Sequence, residues 1–108
     1  MFSIGDKNKI TITQHDNAYL TFSIDNYNLG DGDVVHFIVK ESYDSDEPII
    51  NITVTEFNDN KAIIFISETD TNIPVSLYVY GICVHTKEGF ISTVISGKFK
   101  VIGGVHNE

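Results

Sequence analysis

Apolar and polar residues alternate along most of this chain with a period of two, so the elements the pattern predicts are strands rather than helices. The best-specified pair runs from Leu77 to Ile102. In its first half Tyr78, Tyr80, Ile82 and Val84 share one face, and in its second half Ile91, Thr93 and Ile95 do so again. Between the halves lies Thr86-Lys87-Glu88-Gly89, with Gly89 where a three-residue hairpin loop closing in a bulge requires positive φ. Upstream, Lys9 to Thr13 alternates, and Ala18 to Asp25 sets Leu20, Phe22 and Ile24 against Tyr19, Thr21 and Ser23. Val34 to Lys40 buries Val35, Phe37 and Val39, with His36 on the outer side. A fourth strand starts at Ile49 and alternates Ile50, Ile52 and Val54 with Asn51, Thr53 and Thr55. The fifth, Lys61 to Ser67, is apolar at four consecutive positions from Ala62 to Phe65, which predicts cover on both faces.

Turn chemistry punctuates these runs. Gln14 to Asn17 is a polar corner, and Asn26 to Asp33 is a loop pinned inward by Leu29. Pro48 ends the polar loop that begins at Glu41, because proline cannot donate to a ladder. Asn58-Asp59-Asn60 is a tight turn tolerant of left-handed backbone. Ser67 to Pro74 carries capping residues and a terminal proline, the signature of one helical turn crossing between sheets. Ser96-Gly97 predicts a bulge or bend within the last strand. About seven short strands with such spacing predict an all-β fold, an immunoglobulin-like antiparallel β-sandwich. The predicted core is Ile12, Leu20, Phe22, Ile24, Val35, Phe37, Val39, Ile52, Ile64, Tyr80, Ile82, Phe99 and Val101.

The chain has 108 residues, which predicts a single domain over 1–108 with a flexible tail at 103–108 after Ile102. No apolar run approaches the ~20 residues of a membrane span, and Met1 to Asp6 lacks the regions of a signal peptide. The reading is a protein without membrane partner or export signal. Net charge is −8 and all seven basic residues are lysine, which argues against nucleic acid, since phosphate recognition draws on clustered cations and on arginine in particular.

Candidate chemistry is sparse. Cys83 has no partner for an internal disulfide and reads as a small packed hydrophobe; His85, two residues on along one strand, does not converge with it on a common atom. His15, His36, His85 and His106 lack metal-ligand spacing. Asp31 with Asp33, and Asp44 with Asp46 and Glu47, are oxygen-rich but lack the spaced ligands and distal Glu of a calcium loop. No nucleophile elbow or paired carboxylates appear, so the expectation is a non-enzyme without catalytic, cofactor, metal or nucleic-acid site residues and without cofactors. Tyr19, Tyr27 and Tyr43 are the candidate aromatic surfaces for a carbohydrate- or receptor-binding module, the alternative function, although the chain has no Trp. Lys9 to Thr13 and Lys98 to Ile102 read as exposed edge strands, the expected partner contacts.

The segments ITITQHDNAYLTFSI, VVHFIVK, AIIFISETDTNI, YVYGICV and EGFISTVISGKFKVIGGV, taken in order, resemble the small Ig-like domains of tailed-phage structural proteins, including the N-terminal domain of baseplate upper proteins. The matching positions are His15-Asp16 in the polar corner and Asp70-Thr71 before Tyr78, Tyr80 and Ile82. At the end of the chain they are Thr93-Val94, Gly97, Phe99 and Val101. Gly81 and Ser76-Leu77 depart from that pattern. The resemblance implies a non-catalytic structural module of a phage or prophage tail or baseplate, a virion component assembled in the bacterial cytoplasm. Its partners would be other virion or tail proteins, with a homo-oligomer possible within the assembly.

Overall fold

The computed structural model of the chain describes residues 2–4, 8–24 and 27–104. Its strands are β1 (Phe2–Ile4), β2 (Ile10–Thr13), β3 (Ala18–Phe22), β4 (Val34–Lys40), β5 (Ile50–Val54), β6 (Ala62–Ile66), β7 (Ser76–His85) and β8 (Ile91–Ile102). Six form one sheet in the order β1-β2-β8-β7-β4-β5, and β3 pairs with β6 in a second. One cluster of buried side chains joins the two sheets. This is an immunoglobulin-like β-sandwich, with β4, β7 and β8 in one layer and β3 and β6 in the other. The pairing is antiparallel except between β2 and β8, which run parallel with Ile10 opposite Phe99 and Ile12 opposite Val101.

The turns form as their residues require. Thr86 and Phe90 close the β7–β8 loop: the Thr86 N–H donates to the Phe90 carbonyl at 2.8 Å, and Gly89 adopts φ 97°. Asn58 and Lys61 exchange backbone hydrogen bonds, with Asp59 and Asn60 both left-handed at φ 54° and 64°, the geometry of a tight hairpin turn. In the crossing after β6, Ser67 and Asp70 cap each other. The Asp70 N–H donates to Ser67 Oγ at 3.0 Å, and the Ser67 N–H donates to the Asp70 carboxylate at 2.9 Å. Fully buried Thr71 then donates its hydroxyl to the Asp16 carbonyl at 2.7 Å, and Gln14 donates to the Ile73 carbonyl, so the crossing is tied to the first polar corner.

At the start of β7, Tyr78 donates its hydroxyl back to the carbonyl of Pro74. A tyrosine bonded to backbone just upstream of this strand is a mark of Greek-key sandwiches, where it locks the arch between sheets. Tyr80 donates to the Asn8 carbonyl at 2.6 Å. Its ring packs with Phe37 and Phe99 at centroid separations of 5.6 and 6.4 Å, in the middle of the core. Opposite Tyr80 on β8 stands Gly97, which places no side chain beside the ring.

The predicted core is buried at Ile12, Phe22, Val35, Phe37, Val39, Ile64, Tyr80, Ile82, Phe99 and Val101, while Leu20, Ile24 and Ile52 are partly buried at its margin. Ile10, Leu29, Ile50, Ala62, Ile66, Tyr78 and Val84 complete it. Several expectations are corrected. The strands at Lys9 to Thr13 and Lys98 to Ile102 are not edges: β2 and β8 pair with each other and lie inside the sheet, and β1 extends it further. The irregularity in the last hairpin falls at Val94, where the register shifts between Ile82 and Cys83; Gly97 pairs regularly and β8 is continuous. That extra residue turns Ile95 toward the core and leaves Ile91 and Thr93 on the outer face with His85 and Cys83. Strand β6 is covered on one face only, with Ile63 and Phe65 exposed. Cys83 sits half-buried on the outer face rather than in the core. Residues 105–108 of the expected tail, with His106, lie outside the described residues.

Two substitutions test this architecture. Phe37→Ala removes a fully buried ring and is expected to lower unfolding free energy by about 3–5 kcal/mol, read from the urea midpoint. A loss below about 1 kcal/mol would mean that β4 is out of register. Gly89→Ala meets no atom within 4 Å of its new Cβ, so its cost of about 1–2 kcal/mol arises from backbone strain alone.

Candidate functional site

The most conspicuous polar centre is Asp33, only 1% exposed at the end of the loop before β4. Its carboxylate accepts from the Tyr27 hydroxyl at 2.8 Å, the Gly30 N–H at 3.0 Å and the Lys87 N–H at 2.8 Å. Gly32 beside it has φ 92°, and a Cβ there would lie 2.8 Å from Lys87 Cβ, so only glycine admits this approach. The loop is thereby fastened to the tip of the β7–β8 hairpin. Burial works to raise the carboxyl pKa, but the two backbone N–H groups, the Tyr27 hydroxyl and the Lys87 charge outweigh it and hold the group below its ordinary 3.8. The same carboxylate pushes the Tyr27 phenol up. Tyr27 and Asp33 are thus structural, and the oxygens of Asp33 that sequence reading weighed for calcium are already engaged.

The histidines fall into a pair that the sequence spacing hid. His36 on β4 and His85 on β7 meet edge to face on the outer side of the six-stranded sheet, with centroids 4.8 Å apart. His36 Nδ1 lies 3.2 Å from Thr53 Oγ1. Burial, then the neighbouring His85, lowers the His36 pKa from its ordinary value. Cys83 is opposite His36 in the ladder. Among the described residues no group of three or more His, Cys, Asp or Glu side chains has the arrangement of a metal site.

Two surfaces remain. The first is the outward face of the β3–β6 sheet, where Tyr19, Ile63 and Phe65 are 68, 48 and 41% exposed. Tyr19 stands opposite Phe65 in the ladder, and their rings pack 4.8 Å apart at 38°. Phe65 and Ile63 also line a groove of about 400 Å³ that runs down the seam to Ile52 and Val54 of β5. Of the three candidate tyrosines only Tyr19 belongs to this face. Ile63 and Phe65 were legible as its partners only once one-sided burial of β6 was known.

The second surface is the outer face of the six-stranded sheet. There a shallow groove of about 200 Å³ has Gly81 at its floor and Ile38, Val79, Cys83 and Thr93 around it. Tyr43 arches over from the β4–β5 loop, its hydroxyl 3.5 Å from the Gly97 carbonyl and its ring 5.9 Å from Lys98 Nζ. Asp44, Asp46 and Glu47 are in that same loop, away from any cluster with ligand geometry among the described residues. No helix among the described residues is long and apolar enough to cross a membrane.

No family model matches the chain, and no curated protein is detectably similar to it. Among solved structures it overlays on the structure of murine CRIg, an Ig-like domain, with a TM-score of 0.44 at 11% identity, covering 96% of this chain and 97% of that one. The strand order and pairing above define the sandwich.

The Asp33 hub has a pH signature. A carboxyl with a depressed folded pKa adds stability above its unfolded value near 3.8, and that stability is lost as pH falls through the lower folded value. Wild-type unfolding free energy is therefore expected to drop more steeply below about pH 4 than that of Asp33→Asn, which should also be less stable at pH 7. Parallel pH curves would mean that Asp33 contributes no pH-dependent stability.

Proposed function

We propose that this domain is a non-catalytic assembly module that works by protein–protein contact, as a part of a phage or prophage tail or baseplate. The observation that carries the contact reading is the unfinished β3–β6 sheet. A two-stranded sheet is marginal by itself, and here each strand keeps one unpaired edge. Natural edges are commonly blunted by lysine, proline or an inward charge. Neither Ala18–Phe22 nor Ala62–Ile66 contains a charged residue or a proline. The exposed ring pair of Tyr19 and Phe65 lies directly beside those edges, offering apolar area for a partner strand to cover. The viral setting is supported by the sequence resemblance, whose Tyr78, Tyr80, Ile82, Phe99 and Val101 all serve as core residues of β7 and β8. Assembly in the bacterial cytoplasm follows from that setting. The tilt of Tyr19 against Phe65 makes a poor flat platform for a sugar ring, which favours a protein partner over the carbohydrate alternative.

The check is affinity capture from a lysate of the producing phage or lysogen, with bound proteins identified by mass spectrometry. Wild type is expected to retain a tail or baseplate protein. Phe65→Asp and Ile63→Asp, both at exposed positions, should lose it while unfolding at nearly the wild-type temperature. Recovery of glycans alone, or equal capture by both variants, would favour the carbohydrate-binding reading or another surface.

A further inference from the structure

We propose that the outer face of the six-stranded sheet is a second docking surface, for an extended acidic segment of a partner protein that seats one apolar side chain over Gly81. It goes beyond the contact reading of the β3–β6 sheet, since it concerns the opposite layer of the sandwich.

The chain has 15 acidic residues and a net charge of −8, yet no Asp or Glu lies in any of the eight strands. The charged residues of the strands are Lys40, Lys98 and Lys100 alone. The ladder gathers these three on one face. Lys98 is opposite Val79, which is in turn opposite Lys40, and Lys100 follows opposite Leu77. Among the described residues none of the three is held in an ion pair, including with the carboxylates of the loop that carries Tyr43. A row of cations on a sheet otherwise free of charge favours an anionic ligand on that face.

The groove adds a second requirement. Its floor at Gly81 lacks a side chain, and its walls at Ile38, Val79 and Cys83 are apolar. Leu77, half exposed beside Lys100, extends the apolar area. This combination suits a peptide with one apolar residue between carboxylates. A nucleic acid would call for arginine and more cations, and a charged glycan would leave the apolar floor uncovered.

The probe is a fluorescein-labelled peptide of alternating Asp and Leu, titrated into the ¹⁵N-labelled protein. Its Asn-for-Asp counterpart and a single-stranded oligothymidine serve as comparisons. Amide shifts are expected at Gly81, Cys83 and Thr93. Affinity should fall by about tenfold or more with the Asn peptide, and likewise with Lys98→Glu plus Lys100→Glu. Gly81→Ala adds a methyl to the floor, and its Cβ would find only ordinary contacts, at 3.6 Å to the Ile95 carbonyl and 3.7 Å to Thr93, so the variant keeps its fold while weakening the peptide. The proposal is overturned by the absence of saturable binding at millimolar peptide, by equal affinity for the Asn peptide or the charge-reversed variant, by shifts confined to β3 and β6, or by tighter binding of the oligonucleotide. Shifts confined to β3 and β6 would leave the contact reading of that sheet standing while removing this one.

Discussion

The parallel pairing of β2 with β8 is the constraint on which the rest of this structure depends. Strand β8 uses one backbone edge against β7 over ten antiparallel positions and the other against β2 over four parallel ones. From Phe99 to Val101 its backbone is therefore paired on both sides, whereas the stretch before Phe99 pairs with β7 alone, and β1 extends the layer beyond β2. The same choice removes the first strand from the opposite layer. What remains there is β3 and β6, a sheet of two strands with an unpaired edge on each. Backbone groups left unpaired at an edge are met by water or by a partner, so the pairing that widens one layer to six strands also leaves the other at two, with both of its strands at an edge.

Polar burial in the sandwich ties the connections to one another. Asp33 fastens the loop before β4 to the tip of the β7–β8 hairpin, and Thr71 fastens the crossing after β6 to the corner at Asp16. Tyr78 and Tyr80 each spend a hydroxyl on a backbone carbonyl at the sheet margin. Among the described residues no buried side-chain nitrogen or oxygen lacks a hydrogen-bond partner. The remaining exposed features are on the two outer faces, one apolar and aromatic, the other lysine-bearing.

Period-two alternation was enough to place six of the strands and both faces of β4, because Val35, Phe37 and Val39 can be buried together only in one register. The turns were equally legible: Gly89, Asp59-Asn60 and the Ser67-Asp70 pair act within a few residues, through backbone conformations and local hydrogen bonds that residue type dictates. These are short-range properties, and the sequence by itself determined them. The resulting count and spacing of strands were sufficient for the sandwich class.

Which strands become neighbours depends on contacts between residues far apart in the chain, and only the tertiary structure decided it. Nothing local to Ile10 or Phe99 says that they face each other, so β2 and β8 read from sequence as free edges. Four apolar residues in a row at Ala62 to Phe65 fit a strand buried on both faces; among the described residues no layer covers the outer face of β6, which leaves Ile63 and Phe65 exposed, and the register with β3 sets Tyr19 opposite Phe65. The bulge settled at Val94 rather than at Gly97 because the register is set jointly by Ile95 against Ile82 and by Tyr80 against Gly97. The convergence of Lys40, Lys98 and Lys100 has the same origin: residues almost sixty positions apart share a row only because β7 lies between β4 and β8, and a pairwise ladder, unlike a turn, carries no signature in either strand alone.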